Sequence, residues 1–250
     1  MGKKILRFLG INLLISLVIG NAIAFANGAW PVDFPPIPYT ESDQAFMAEL
    51  KKEAAADTKD PLVFSTLGAL YTLHNDIDSA HKALTQARQL DPDDPQILSW
   101  YSMNQTKRAG ARLDLLMGLR KLYQLNQGIA GLNHAVKDSP DDAQLRLNRL
   151  ATFVHLLDQS DIQPVVKKDI QWFKAFLAKH EKETPQAIVQ TARIAMLLFN
   201  IHEARKDPTT QDIAVLEGQL DELREHKLDD PLITHQLEQA QSRIHGLRRS

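Results

Sequence analysis

The sequence predicts an all-α protein, and three observations carry that prediction. Period-two alternation of β-branched residues is absent along the chain, so no strand is expected. Prolines fall at 61, 92, 95, 140, 164, 185, 208 and 231, the last five separated by 24, 21, 23 and 23 residues. Each such interval holds one helix of about 18 residues and a turn. Asp60-Pro61, Thr184-Pro185 and Asp207-Pro208 place a capping side chain before a proline, the pattern of a first helical turn. Together they predict a stack of about 8–10 helices.

Residues 1–26 read as an address. Lys3, Lys4 and Arg7 precede an apolar run from Phe8 to Ile23, and Ala24-Phe25-Ala26 follows in an A-x-A arrangement. This is the grammar of an export signal, with cleavage expected after Ala26 and Asn27 as the new first residue. An uncleaved anchor is the alternative, since the run approaches spanning length. Asn12, Asn21 and the cleavage site favour removal. Loss of the segment leaves 26 basic and 31 acidic residues, a net charge of −5. That balance gives no general case for nucleic acid. No second apolar run reaches spanning length, so no membrane span is expected after cleavage. The expected destination is the periplasm, or outside the cell. The absence of cysteine excludes disulfides, thiolate metal sites, a thiol nucleophile and a lipid-modified cleavage site.

Residues 27–40 interleave Pro31, Pro35, Pro36 and Pro38 with Trp30, Phe34 and Tyr39. The prolines fix φ and remove donors, so the stretch is expected to be extended: a linker, an arm over the domain, or a docking segment. The domain proper spans 41–250. Ser42 is expected to cap a helix through Ala56, with Phe46 and Leu50 on one face. Residues 186–202 are apolar nearly all round, as in a helix packed on several sides. Leu216, Leu220 and Leu223, then Ile244 and Leu247, form narrow stripes that predict outer helices with one wet face.

A repeat underlies the punctuation. Phe64-x2-Leu67-Gly68-x2-Tyr71, then Ala80-x3-Leu84-x2-Ala87, then Pro92, resembles the tetratricopeptide repeat over residues 61–94. Its departures are Phe64, where tryptophan is usual, and Leu84, where phenylalanine is usual, both apolar replacements. Gly68 and Ala80 are small where two antiparallel helices would cross, and Tyr71 and Leu84 would fill the space beside them. A degenerate second copy covers 95–142: Gly128, Leu132, Ala135 and Pro140 align with Ala80, Leu84, Ala87 and Pro92 at an offset of 48. Its 14 extra residues are expected around 109–122. Asp93-Asp94 and Asp141-Asp142 suit the starts of the next helices. A third first-helix is expected over 143–157, and beyond 160 only proline period and amphipathicity continue.

The resemblance implies a helical-hairpin solenoid whose first helices line a concave, partner-binding face. One-turn spacing puts Leu62, Ser65, Ala69 and Thr72 there in the first unit. Ser99, Met103 and Thr106 follow in the second, with Lys107 at the edge, and Gln144, Leu147, Ala151 and Val154 in the third. Family members that clamp a C-terminal carboxylate use lysines and asparagines, where Ser65 and Ala69 stand here. The sparse charge suits an apolar helix or extended segment of a protein partner. The alternative is that residues 27–58 or the C-terminal helices fill the groove.

Catalytic grammar is missing. There is no G-x-G-x-x-G, G-x-x-x-x-G-K, G-x-S-x-G, H-E-x-x-H or S-x-x-K, so no cofactor is expected. Asp91 to Asp94 lack the spaced ligands of a calcium loop. His74 and His81 are separated by the turn residues Asn75-Asp76, so no metal is expected either. The expected function is a non-enzymatic scaffold or adaptor for an envelope transport, secretion or assembly complex. The alternatives are an enzyme with a dispersed site, or a small-ligand binder near Trp172, Phe173 and Phe176. Ile170, Phe173 and Leu177, however, share the spacing of a core face.

Overall fold

The structure is a computed structural model that describes residues 2–26, 30–56, 59–116, 118–159, 161–209 and 212–249, with side chains from residue 10 onward. Asn27, the expected first residue after cleavage, lies outside the described residues. Residues 2–26 form helix α1 (Gly2–Ala26), and a second helix, α2 (Glu41–Ala55), precedes the hairpins. Three hairpins follow: α3 (Pro61–Leu73) with α4 (Ile77–Leu90), α5 (Pro95–Ala111) with α6 (Leu119–Asp138), and α7 (Ala143–Phe153) with α8 (Ile162–His180). The chain closes with α9 (Gln186–Lys206), α10 (Ile213–Glu225) and α11 (Pro231–Leu247). No strand occurs among the described residues. The fold is all-α, built as a helical-hairpin solenoid.

Two rows of helices make the stack. Each of α3, α5, α7 and α9 packs on the next odd-numbered helix, whereas α4, α6, α8 and α10 pack on their neighbours in sequence. The odd helices are therefore the inner row and the even ones the outer row. One continuous core runs from Met103 to Ile244 and includes the wholly buried Leu150, Phe153, Phe173 and Ala192. A smaller core joins Leu50, Val63 and Leu67 under α2 and α3.

Aspartate starts most inner helices. Asp60, Asp94, Asp142 and Asp230 each accept the N–H two residues on, at 2.6–2.9 Å, and proline follows three of them. The second aspartate of each expected pair is thus the cap. Other boundaries differ from expectation. Thr40, not Ser42, caps α2, because it forms a reciprocal capping box with Asp43. Thr184 turns its hydroxyl back to the His180 carbonyl at 2.8 Å instead of capping α9. Asp207 accepts both the N–H and the hydroxyl of Thr209, closing a turn, and α10 starts only after Asp212. The third first-helix stops at Phe153, because Val154 and the residues after it turn.

The second unit explains its own length. Against α3 and α4, with 13 and 14 residues, α5 and α6 have 17 and 20. The intervening connection is residues 112–118 rather than 74–76. The extra residues lengthen both helices as well as the connection. Leu84 and Leu132 are wholly buried, as are Ala80, Ala87 and Ala135, so the aligned positions share one environment. The close approach changes hands between the units. A Cβ on Gly68 would overlap the Leu84 side chain, whereas one on Gly128 would lie 2.9 Å from the Ser102 carbonyl oxygen.

The proline-rich stretch is extended and lies across the ends of the first two inner helices. Ile37 exchanges bonds with His74, its N–H to the His74 carbonyl at 3.1 Å and its carbonyl to the imidazole Nδ1 at 3.0 Å. Asn75 donates to the Pro35 carbonyl at 2.8 Å, Val32 donates to the Gly110 carbonyl, and Tyr39 stacks on His74. Asn75 has a φ of 63°, a left-handed conformation that asparagine tolerates in the tight α3–α4 turn.

Candidate functional site

The residues expected on the concave face divide by burial. Ser65, Thr72, Ser99, Met103, Thr106 and Leu147 are enclosed between helices, as is Val154. Their contacts are structural: the Ser99 hydroxyl accepts from Asn148, whose own amide oxygen accepts from Gln144, tying α5 to α7. Thr106 faces outward toward Gly128 of α6, not the hollow. Met103 belongs to the main core. Leu62 is exposed, and Ala69, Gln144 and Ala151 are half-buried, so surface from that set is confined to these four.

A different group occupies the open inner side. Near the C-terminal ends of α5, α7, α9 and α11 stand Lys107, His155, Arg205 and Arg243. Arg243 donates to His155 Nδ1 at 2.7 Å. Arg205 donates to Asp158 Oδ1 at 2.7 Å and to His202 Nδ1 at 3.3 Å. Lys107 donates to the Thr72 carbonyl at 2.6 Å and to Asn75 Oδ1 at 2.7 Å, clasping the end of α3. His235 is also on α11, two turns from Arg243, with Gln239 between them at 2.9 Å from the ring. Cations at helix C-termini complement the macrodipoles, which accounts for their recurrence at this edge.

His155 shows that these groups face one another. Its side chain is reached by solvent, yet its imidazole is held below the ordinary range. The crowding of surrounding protein is the main cause, and the charges of Arg243, Lys107 and His235 add to it. Lys107 is on α5 and Arg243 on α11, helices three apart in the inner row. Both act on His155, which follows α7, so the ends of these inner helices lie close together. His155 thus stands where side chains of α5, α7 and α11 come together. Arg243 donates to Nδ1, so the imidazole there is the neutral form. Burial also draws the Lys107 ammonium down to about 8. Asp158 is the carboxylate that acts on Arg243, raising its pKa against the effects of burial and Arg205.

A second concavity opens on the outer side. Between α4, α5 and α6 lies a cleft of about 440 Å³, lined by Arg88, Tyr101, Gln105, Tyr123, Gln127 and His134. The Arg88 guanidinium sits over the Tyr101 ring at 4.5 Å. Arg88 Nε and Gln105 Oε1 are buried without a hydrogen-bond partner in the protein. The aromatic group on α8 is packed among its own rings and Arg146. Phe173 is fully buried, Trp172 stacks on Phe176 at 4.7 Å, and Arg146 covers Trp172 at 4.8 Å.

The chain matches no family model, no curated protein and no solved structure. The tetratricopeptide resemblance therefore stands on its own residues.

Sequence reasoning placed Lys107 at the edge of the face but missed His155, Arg205, His235 and Arg243. Their signal was weak: one basic or imidazole group near the end of every inner helix. It is legible only once α11 is known to lie in the inner row, packed on α9, rather than in an outer layer. Ile233, Leu237, Ala240 and Ile244 bury that face of α11, which turns His235 and Arg243 toward the hollow.

Proposed function

We propose that the chain is a non-enzymatic, tetratricopeptide-type scaffold whose inner hollow receives an acidic segment of a partner protein. The single observation that carries this reading is the convergence of Lys107, His155, Arg205 and Arg243 from four successive inner helices. An apolar segment suits that surface less well than a chain of carboxylates, which guanidinium groups bind with charge-assisted hydrogen bonds. The signal-like residues 1–26 support export, and with it a role as an adaptor in an envelope complex. The non-enzymatic part of the reading is supported by the missing sequence signatures of the commonest nucleotide-binding and hydrolytic sites.

The test is fluorescence anisotropy with a labelled glutamate-rich peptide and a lysine-rich control, run at low and physiological salt. The glutamate-rich peptide binds, salt weakens it, and Arg205→Gln with Arg243→Gln weakens it by roughly tenfold or more. Equal binding of both peptides, or an unaffected double variant, would refute the reading. The outer cleft supports a second reading, a small polar ligand satisfying Arg88 Nε and Gln105 Oε1. Loss of a copurifying small molecule in Arg88→Ala, with the peptide affinity unchanged, would favour that one.

A further inference from the structure

We propose that the α5–α6 connection is a membrane-docking edge that rests on a bilayer with anionic headgroups. Leu113, Leu115, Leu119, Leu122 and Tyr123 are each more than half exposed, and Leu116 is 40% exposed. Five leucines and a tyrosine within eleven residues, all presented to solvent, make an apolar patch that a lone soluble domain does not retain without use. The patch lies outside the inner hollow and is independent of the reading proposed for it.

Two observations select a bilayer as the occupant. The first is charge. Between Asp94 and Asp138 the sole acidic residue is Asp114, against Lys107, Arg108, Arg112, Arg120, Lys121 and Lys137. Asp114 is buried and turned inward, its carboxylate accepting the backbone N–H groups of Leu116 and Lys121 at 2.9 Å. Its charge acts on Arg120 and Lys121, so Arg112, Arg120, Lys121 and Asp114 together leave a net charge of +2 beside the leucines. In a chain with more acidic than basic residues after position 26, this concentration is local and complements anionic lipid. Leucines to enter the acyl boundary, tyrosine and tryptophan at headgroup level, and basic groups beside them are what an interfacial anchor requires.

The second observation is continuity with α1. Asn21 of α1 donates to the Leu115 carbonyl at 2.7 Å, and Lys121 donates to the Trp30 carbonyl at 2.6 Å. Trp30 stacks on Phe25 at 4.5 Å. Leu13, Leu14, Val18 and Ile23 of α1 are all more than half exposed, so the apolar patch of the connection runs on into an apolar helix. Among the described residues no helix is long and apolar enough to cross a membrane, and the run from Phe8 begins where side chains are not described. Whatever α1 does, the connection lies at the same surface. It remains there to hold the domain if α1 is removed.

The chain has no cysteine, so a single introduced thiol reports on one position. Full-length Leu116→Cys, Leu119→Cys, Val18→Cys and Gly218→Cys would each carry an environment-sensitive fluorophore. Each would be mixed with vesicles of equal parts phosphatidylglycerol and phosphatidylcholine, or of phosphatidylcholine alone. Labels at 116 and 119 shift to the blue on the anionic vesicles, while the label at 218, an open position on α10, does not move. A net charge of +2, at roughly fivefold per charge, strengthens binding to the anionic vesicles over the neutral ones by on the order of twentyfold. A shift at 18 with none at 116 and 119 would overturn the proposal, leaving α1 as the whole contact. A shift at 116 without vesicles, growing with protein concentration, would overturn it in favour of a second copy. Equal shifts on both vesicle types would remove the anionic component and with it the argument from charge.

Discussion

Adding one methyl group at Gly128 tests the hairpin geometry more sharply than any large substitution. The new Cβ would stand 2.6 Å from Thr106 Cγ2, 2.9 Å from the Ser102 carbonyl oxygen and 3.2 Å from the Thr106 nitrogen. Two of those are backbone atoms of α5, so no side chain can swing away to relieve them. Ordinary contact begins near 3.4 Å, and α5 and α6 must therefore part by about 0.5 Å. A gap of that size forfeits roughly a quarter of the dispersion energy across the crossing, and overpacking of this kind costs about 1–3 kcal/mol. Helix propensity acts in the other direction, favouring alanine by about 0.5–1 kcal/mol. Gly218 isolates that term, since it lies within α10 with nothing inside 4 Å of a Cβ. The expected outcome for Gly128→Ala is a net loss of about 1 kcal/mol, and for Gly218→Ala a gain of about 0.5–1 kcal/mol. For a domain of this size each kcal/mol moves Tm by about 2–4 °C, so thermal unfolding resolves the two variants. If both raise Tm by the same amount, α5 and α6 do not cross at Gly128 and the second unit is not packed as a repeat.

Asp169, 1% exposed, receives Arg149 at 2.7 and 2.8 Å and Arg146 at 2.8 Å. Asp169→Asn leaves two guanidinium groups facing a neutral amide, and an expected loss of about 3 kcal/mol is read from urea unfolding. Acid destabilises the fold through its imidazoles: burial lowers His155, His81 and His202 below 6.5, the value they regain in the unfolded chain. Above about pH 6.5 both states are neutral and the stability is complete. As the pH falls toward the depressed values the unfolded chain takes up protons that the fold refuses, so the urea midpoint drops. The slope is shallower in His155→Gln, and a midpoint unchanged between about pH 7 and 5 would remove the argument for a crowded hollow. Met103→Glu places a carboxylate in the main core, and its melting temperature falls regardless of any partner.

Local chemistry determined much of this protein. The Asp60-Pro61 start depends on neighbouring groups, and the Leu84 and Leu132 positions on helix spacing within α4 and α6, so sequence spacing exposes them. Boundaries failed where two local solutions competed. Thr184 had the choice of capping forward or bonding back to His180, and nothing nearby in the sequence favours one. The inner surface was beyond sequence reading for a different reason. One-turn spacing identifies the residues sharing a face of a helix, but not how closely the next helix covers that face. Packing between α5 and α7 enclosed Ser99 and Leu147, and packing between α5 and α6 enclosed Thr106. The candidate site joins residues 107, 155, 205 and 243, whose proximity is set by how four inner helices stack. Small rotations at each helix crossing accumulate along a solenoid, and those rotations are fixed by side-chain packing in three dimensions rather than by any spacing along the chain.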